Sequence, residues 1–95
     1  MQRREHARKS VVFASEMLFD ETEVPCSIIN ISVGGAKLKI TEEQKNKYPR
    51  IAVLDISPFG RFKVTIVWHS DEHLGVKFFD APDKMAEILM AMAVY

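Results

Sequence analysis

The chain has no net charge, because its thirteen lysines and arginines are matched by thirteen aspartates and glutamates. A small protein that binds nucleic acid over a broad face is usually basic, so any anionic partner here must be met by a local cluster. A second cysteine is also missing. Cys26 alone excludes an internal disulfide and fits a reducing compartment, and inside a strand-like run it reads as a small core residue. No stretch approaches the roughly 20 apolar residues of a membrane span, and no apolar run follows the N-terminus closely enough for a signal peptide. The expected location is the cytoplasm, without a membrane partner. Catalytic constellations are absent as well: His6, His69 and His73 lack metal-ligand spacing, and the acidic pairs Glu42-Glu43 and Asp71-Glu72 fall in expected loops with no evident partner. The reading is a protein that is not an enzyme and holds no metal or cofactor. Ninety-five residues make a single domain, 1–95, too small for a deep enclosed site.

What the chain does have is alternation. Val24 to Ile29 and Ala36 to Ile40 repeat apolar and polar residues with the period of a strand. Between them Asn30-Ile31-Ser32-Val33-Gly34-Gly35 reads as the bend of a hairpin, with the glycines supplying positive φ and room for a close approach. Asn30 and Ser32 stand at alternate positions and face the same side, offering an amide and a hydroxyl, although Asn and Ser also commonly close turns through local bonds. A long strand is expected from Val11 to Leu18, then an acidic turn at Asp20-Glu21-Thr22-Glu23. A polar connection follows Ile40, with Thr41 and Gln44 placed to cap one helical turn. Ile51 to Ile56 is a short strand ended by the turn Ser57-Pro58-Phe59-Gly60. In the next strand Phe62, Val64, Ile66 and Trp68 share the expected core face, and Leu74 to Phe79 completes a second hairpin. Pro82 starts a helix whose Met85, Ile88, Leu89 and Met92 form one apolar stripe. Its remaining surface is poor in charge and allows a homodimer face. The fold class is all-β with one C-terminal helix, a small antiparallel barrel of five or six strands.

The N-terminus supplies the local positive cluster. Residues 1–9 lack apolar periodicity and read as a flexible arginine-rich arm, in which Arg3, Arg4, Arg8 and Lys9 face only Glu5. Arg4 and Arg8 form Arg-x-x-x-Arg, and Asn30, Ser32 and Gly35 form Asn-x-Ser-x-x-Gly. The two motifs in this order resemble the PilZ family of bacterial cyclic di-GMP receptors, and the likeness extends through Arg61 to Trp68 and Leu74 to Phe79. It implies a six-stranded PilZ-like split barrel and a cyclic di-GMP site built from Arg4, Arg8, Asn30, Ser32 and Gly35. The family accepts aspartate or asparagine where this chain has Asn30, which removes a negative charge near phosphates. An arginine at the position of Arg3 resembles members that bind the ligand as an intercalated dimer.

Cyclic di-GMP presents two phosphodiester charges, guanine edges and flat purine faces, and an arginine fork suits all three. The function the resemblance implies is a receptor or adaptor that changes its arm and adjacent surface on binding and signals to a downstream protein partner. Two alternatives stand beside it. One is a PilZ-like interaction module that does not bind nucleotide, against which the intact motifs argue. The other is a small barrel using its basic arm and Trp68 on RNA or single-stranded DNA, against which the zero net charge argues.

Overall fold

The computed structural model describes residues 13–40 and 48–94. Six strands, β1 (Ser15–Phe19), β2 (Thr22–Ile31), β3 (Gly35–Ile40), β4 (Ile51–Ile56), β5 (Gly60–His69) and β6 (His73–Phe78), precede one helix, α1 (Pro82–Ala93). They close into an antiparallel barrel in the order β1-β2-β3-β6-β5-β4, with β4 paired back onto β1. Closure removes the exposed strand edges that a small open sheet would present. The expected barrel with a terminal helix is therefore the observed one. The capping turn at Thr41 and Gln44, the arm, and Val11 and Val12 lie outside the described residues.

Alternation along each strand fills the interior. Met17, Leu38, Leu54, Ile56, Val64 and Leu74 are fully buried, and α1 adds Met85. Ser15 is the buried polar residue of this core; its hydroxyl donates to the Cys26 carbonyl at 2.7 Å. The Cys26 thiol in turn donates to Ser15 Oγ at 3.5 Å. Cys26 is thus a core residue, as its place in a strand suggested. Burial pushes its thiol above the ordinary value, outweighing the lowering from the Ser15 bond, and the Glu16 charge adds to the rise.

The turns use less obvious chemistry. Phe19 pairs with Thr22, so Asp20 and Glu21 alone make the reversal, with φ of 48° and 61°. Two successive positive φ values define the tight hairpin turn whose twist matches the flanking strands, a place where Asn and Gly are the usual occupants. The expected acidic turn is therefore only two residues long, with Thr22 and Glu23 already in β2. At the other reversal, Phe59 N–H donates to the Ile56 carbonyl at 2.7 Å and Gly60 takes a φ of 117°, which a side-chain-bearing residue would resist. Phe13 packs edge-on against Phe59 with centroids 5.1 Å apart. Tyr48 packs against Phe19 at 5.6 Å and His69 at 5.4 Å.

In α1 Pro82 occupies the first turn beside Asp83, where a missing N–H costs nothing and a carboxylate meets the positive end of the dipole. Asp80 and Lys84 form an i,i+4 pair at 3.0 Å. Of the expected stripe Met85 is buried, while Ile88, Leu89 and Met92 are half-buried. Two expectations need correction. The first strand begins at Ser15, with Phe13 and Ala14 preceding it. Trp68 is not on the core face but stands outside the barrel, 45% exposed.

Candidate functional site

The displacement of Trp68 has a local cause that also explains Asn30. Pairing of β2 with β3 runs Cys26↔Ile40, Ser27↔Lys39, Ile28↔Leu38 and then Asn30↔Lys37, so Ile29 is an extra residue. In β5 the pairing with β6 passes from Ile66↔Val76 to Trp68↔Gly75, leaving Val67 extra. Each is a β-bulge, which resets the in-out alternation by one residue. Before its bulge the inward residues of β2 are Val24, Cys26 and Ile28, and after it Asn30 points out while Ile31 pairs with buried Ala36. By the same reset Phe62, Val64 and Ile66 point in and Trp68 points out.

The two bulges sit at the same height. Lys37 pairs with Gly75 across β3 and β6, so Asn30, Lys37, Gly75 and Trp68 form one row over the outer surface of four adjacent strands. Gly75 is buried although it lies on that outer side, because the indole of Trp68 covers it. A Cβ on Gly75 would overlap Nε1, Cε2 and Cδ1 of the ring. The missing side chain is thus what lets the indole lie flat on the sheet. The row offers an amide, a cation and a π-face, the set of groups that recognises a purine bearing phosphate. Two further lysines, Lys39 and Lys77, are exposed on the outer side of β3 and β6. Among the described residues none of Lys37, Lys39 and Lys77 is engaged in an ion pair.

The hairpin tip borders this row. Ser32 N–H donates to the Gly35 carbonyl at 2.8 Å, its hydroxyl accepts from Gly34 N–H at 3.3 Å and reaches the Gly35 carbonyl at 3.4 Å. Ser32 is exposed, as is Asn30. The serine therefore closes the tip and still presents its hydroxyl on the side of Asn30. For Gly35 one of the two expected reasons for a glycine holds and the other does not. Positive φ among the glycines occurs at Gly60 and not at Gly34 or Gly35; Gly35 is required because a Cβ there would run into the Val76 carbonyl oxygen of β6. Close backbone approach, rather than left-handed conformation, sets the residue type.

On the other side of Asn30 opens a groove of about 310 Å³, lined among others by Phe13, Ile28, Ile29, Leu89 and Met92. Phe13, the first described residue, thus borders the same groove as Asn30. Arg3, Arg4 and Arg8 lie outside the described residues. Arg8 precedes Phe13 by five positions, a span of at most about 17 Å for extended chain.

Asn30, Ser32 and Gly35 are accordingly brought together at one hairpin. Lys37, Gly75 and Trp68 join them without having been singled out by motif. Ile28-Ile29 and Ile66-Val67 do break strict alternation just before Asn30 and Trp68, but so does Val53-Leu54, where the pairing runs on without a shift.

The described residues thus form a closed barrel with polar and aromatic groups turned outward in one row. The PilZ domain family matches the chain over residues 2–93, and the chain belongs to that family. PilZ domains are binding and adaptor modules rather than enzymes, and the family is one of cyclic di-GMP receptors. No curated protein and no solved structure matches the chain. Among the described residues no helix is long and apolar enough to cross a membrane.

Proposed function

We propose that this chain binds cyclic di-GMP on the outer face defined by Asn30, Ser32, Gly35 and the row through Lys37 to Trp68, with Arg4 and Arg8 closing over the ligand from the arm. The observation that carries the reading is the row itself. Two separate bulges turn an amide and an indole outward at the same height, on either side of a lysine, next to the hairpin that bears Asn-x-Ser-x-x-Gly. In this arrangement guanidinium forks meet phosphate oxygens and the guanine O6 and N7 edge, the Lys37 ammonium offsets phosphate charge, and Trp68 offers a face for a purine. Gly35 keeps the floor under the hairpin low. The Arg3 guanidinium offsets the charge of a second, intercalated ligand, giving two molecules per chain. The bound arm and the surface beside it then form the signal read by a downstream protein in the cytoplasm.

Isothermal titration with cyclic di-GMP, against GTP and a single-stranded oligonucleotide, tests the reading. Binding of cyclic di-GMP alone supports it, with a ratio near two that falls toward one in Arg3→Leu. No heat with cyclic di-GMP would leave a PilZ barrel that acts only as an interaction module. Preferential binding of the oligonucleotide would replace the reading altogether. A ratio near one in the parent chain would remove the role of Arg3 while leaving the site in place.

A further inference from the structure

A second outward row begins on β1 and β4, which the cyclic di-GMP site does not use, and reaches β5 at a different height from Trp68. Leu18 of β1 pairs with Val53 of β4, and Val53 pairs with Lys63 of β5. Phe79, just past β6, donates its N–H to the Lys63 carbonyl at 3.0 Å. These positions alternate with the buried Met17, Leu54, Phe62 and Phe78, so all four face outward. Leu18 and Val53 are half-buried, and Phe79 remains 51% exposed. Ile51, beside the row on β4, is 47% exposed. The row crosses three strand spacings, about 14 Å at about 4.8 Å each, which four or five extended residues would span.

Its charges are segregated. At the Phe79 end the Lys63 ammonium lies 4.9 Å from the ring centroid, and Lys77 is exposed two residues back along the same side. At the Leu18 end a groove of about 380 Å³ is lined by Asp20 and Glu21 together with Val53, Lys63 and Arg61. The nearby carboxylates Asp55 and Asp80 are occupied by Arg61 at 3.4 Å and Lys84 at 3.0 Å. The surface therefore has a basic aromatic end, an aliphatic middle and an acidic end. Scattered exposed apolar residues are ordinary, but here Leu18 and Val53 adjoin on neighbouring strands, with Lys63 and Phe79 beyond them on one side and Asp20 and Glu21 on the other, an arrangement suited to binding.

We propose that this strip is a docking site for a short extended segment of another protein, with carboxylates at one end, aliphatic residues in the middle and a cation at the other. Carboxylates lie over Lys63 and Lys77, the aliphatic residues cover Val53 and Leu18, and the cation meets Asp20 and Glu21. A single-stranded nucleic acid fits less well. Its uniform negative charge would meet the Asp20 and Glu21 wall, and the aliphatic middle offers no stacking face.

Selection of a random peptide library displayed on phage, with the parent chain as bait and Lys63→Glu as counter-bait, tests the proposal. The expected peptides carry the three-part pattern. By fluorescence anisotropy they bind Lys63→Glu and Phe79→Ser at least tenfold more weakly than the parent, about 1.4 kcal/mol, while both variants melt as the parent does. Glu21→Gly should also weaken them. The proposal is overturned if no peptide is enriched, if enriched peptides lack segregated charge, or if the variants bind them as tightly as the parent. Tighter binding of a single-stranded oligonucleotide at this strip, lost in the same variants, would overturn it as well.

Discussion

Replacing Gly75 by alanine offers a direct test of the outer row, because the structure gives both the size of the effect and its cause. Nothing in the backbone of Gly75 forbids a side chain, since its φ is not positive. The obstacle is the indole, which a Cβ would overlap at three ring atoms. Trp68 is 45% exposed, so about 130 Å² of a side chain offering at most about 250 Å² is covered. At about 25 cal/mol per Å² that cover contributes about 3 kcal/mol, an upper bound because the unfolded chain also shields part of it. A ring that tilts instead of leaving the sheet would lose about a third of this, so Gly75→Ala should cost about 1 to 3 kcal/mol.

The single tryptophan makes the assay clean. Its emission should shift to longer wavelength in Gly75→Ala as the indole moves into water, and urea unfolding should give the loss of stability. The decisive step is a double-mutant cycle with Trp68→Ala. Once the ring is gone, the three overlapping atoms go with it and the added methyl reduces the freedom of the unfolded chain, so the same substitution should become neutral or stabilise by about 0.5 kcal/mol. Equal destabilisation of Gly75→Ala in both backgrounds would refute the reasoning, since the cost would then lie in the backbone or in another neighbour.

Four other outcomes follow from the same geometry. Arg4→Ala and Arg8→Ala should each weaken cyclic di-GMP at least tenfold, about 1.4 kcal/mol, with an unchanged melting temperature; parent-like titrations for both would remove the arm from the site. Gly35→Ala should lower stability by about 1 to 3 kcal/mol through overpacking against the Val76 carbonyl and should also impair binding, whereas a fully stable variant would show that β3 and β6 can move apart. Glu21→Gly should raise stability by about 1 kcal/mol, because a left-handed conformation penalises any side chain; a loss in chemical denaturation would contradict the turn geometry. Burial holds the Cys26 thiol protonated in the fold beyond its ordinary value of 9.0, so above about pH 9 the unfolded chain binds fewer protons than the folded one. Stability should then fall as pH rises, by at most about 1.4 kcal/mol per pH unit from this group. Cys26→Ala should flatten that slope, and an unchanged slope would assign it elsewhere.

Strand positions were legible because residues such as Met17, Leu38, Leu54 and Val64 follow a two-residue period that a buried face enforces. The helix start was legible from Pro82 and Asp83, and the hairpin from Asn30 to Gly35. Trp68 was misplaced for a physical reason: a strand that continues its alternation on paper can slip by one residue in the sheet, and neither bulge carries a residue type that announces it. Apolar Val67 and Ile29 are both tolerated outside the barrel, so hydrophobicity alone does not mark the slip. The acidic turn was read as the four residues Asp20 to Glu23, two too many, because the Asn-Gly signature of a two-residue turn is missing. For Gly35 the sequence offered positive φ and close approach together, since it shows that a side chain is absent without showing which neighbour requires it; the structure keeps only the close approach.

The division of the proposed site between barrel and arm follows from the cost of ordering chain. Fixing a residue costs roughly 1 to 2 kcal/mol in backbone entropy, so a segment such as Arg8 to Val12, were it ordered only by the ligand, would cost roughly 5 to 10 kcal/mol by the same scale. A bidentate arginine contact to guanine returns about 1 to 3 kcal/mol, so Arg4 and Arg8 alone do not repay the closing of the arm. Asn30, Lys37 and Trp68 carry no such cost. The bulges and the Gly75 cradle set them on the barrel before any ligand arrives, so their contacts count almost in full. On this reading the outer row supplies much of the affinity and the arm supplies the response. A ligand that stacks on Trp68 but lacks the second phosphate would then occupy the barrel without closing the arm, and only the complete dinucleotide would recruit both arginines and produce a surface that a partner can read.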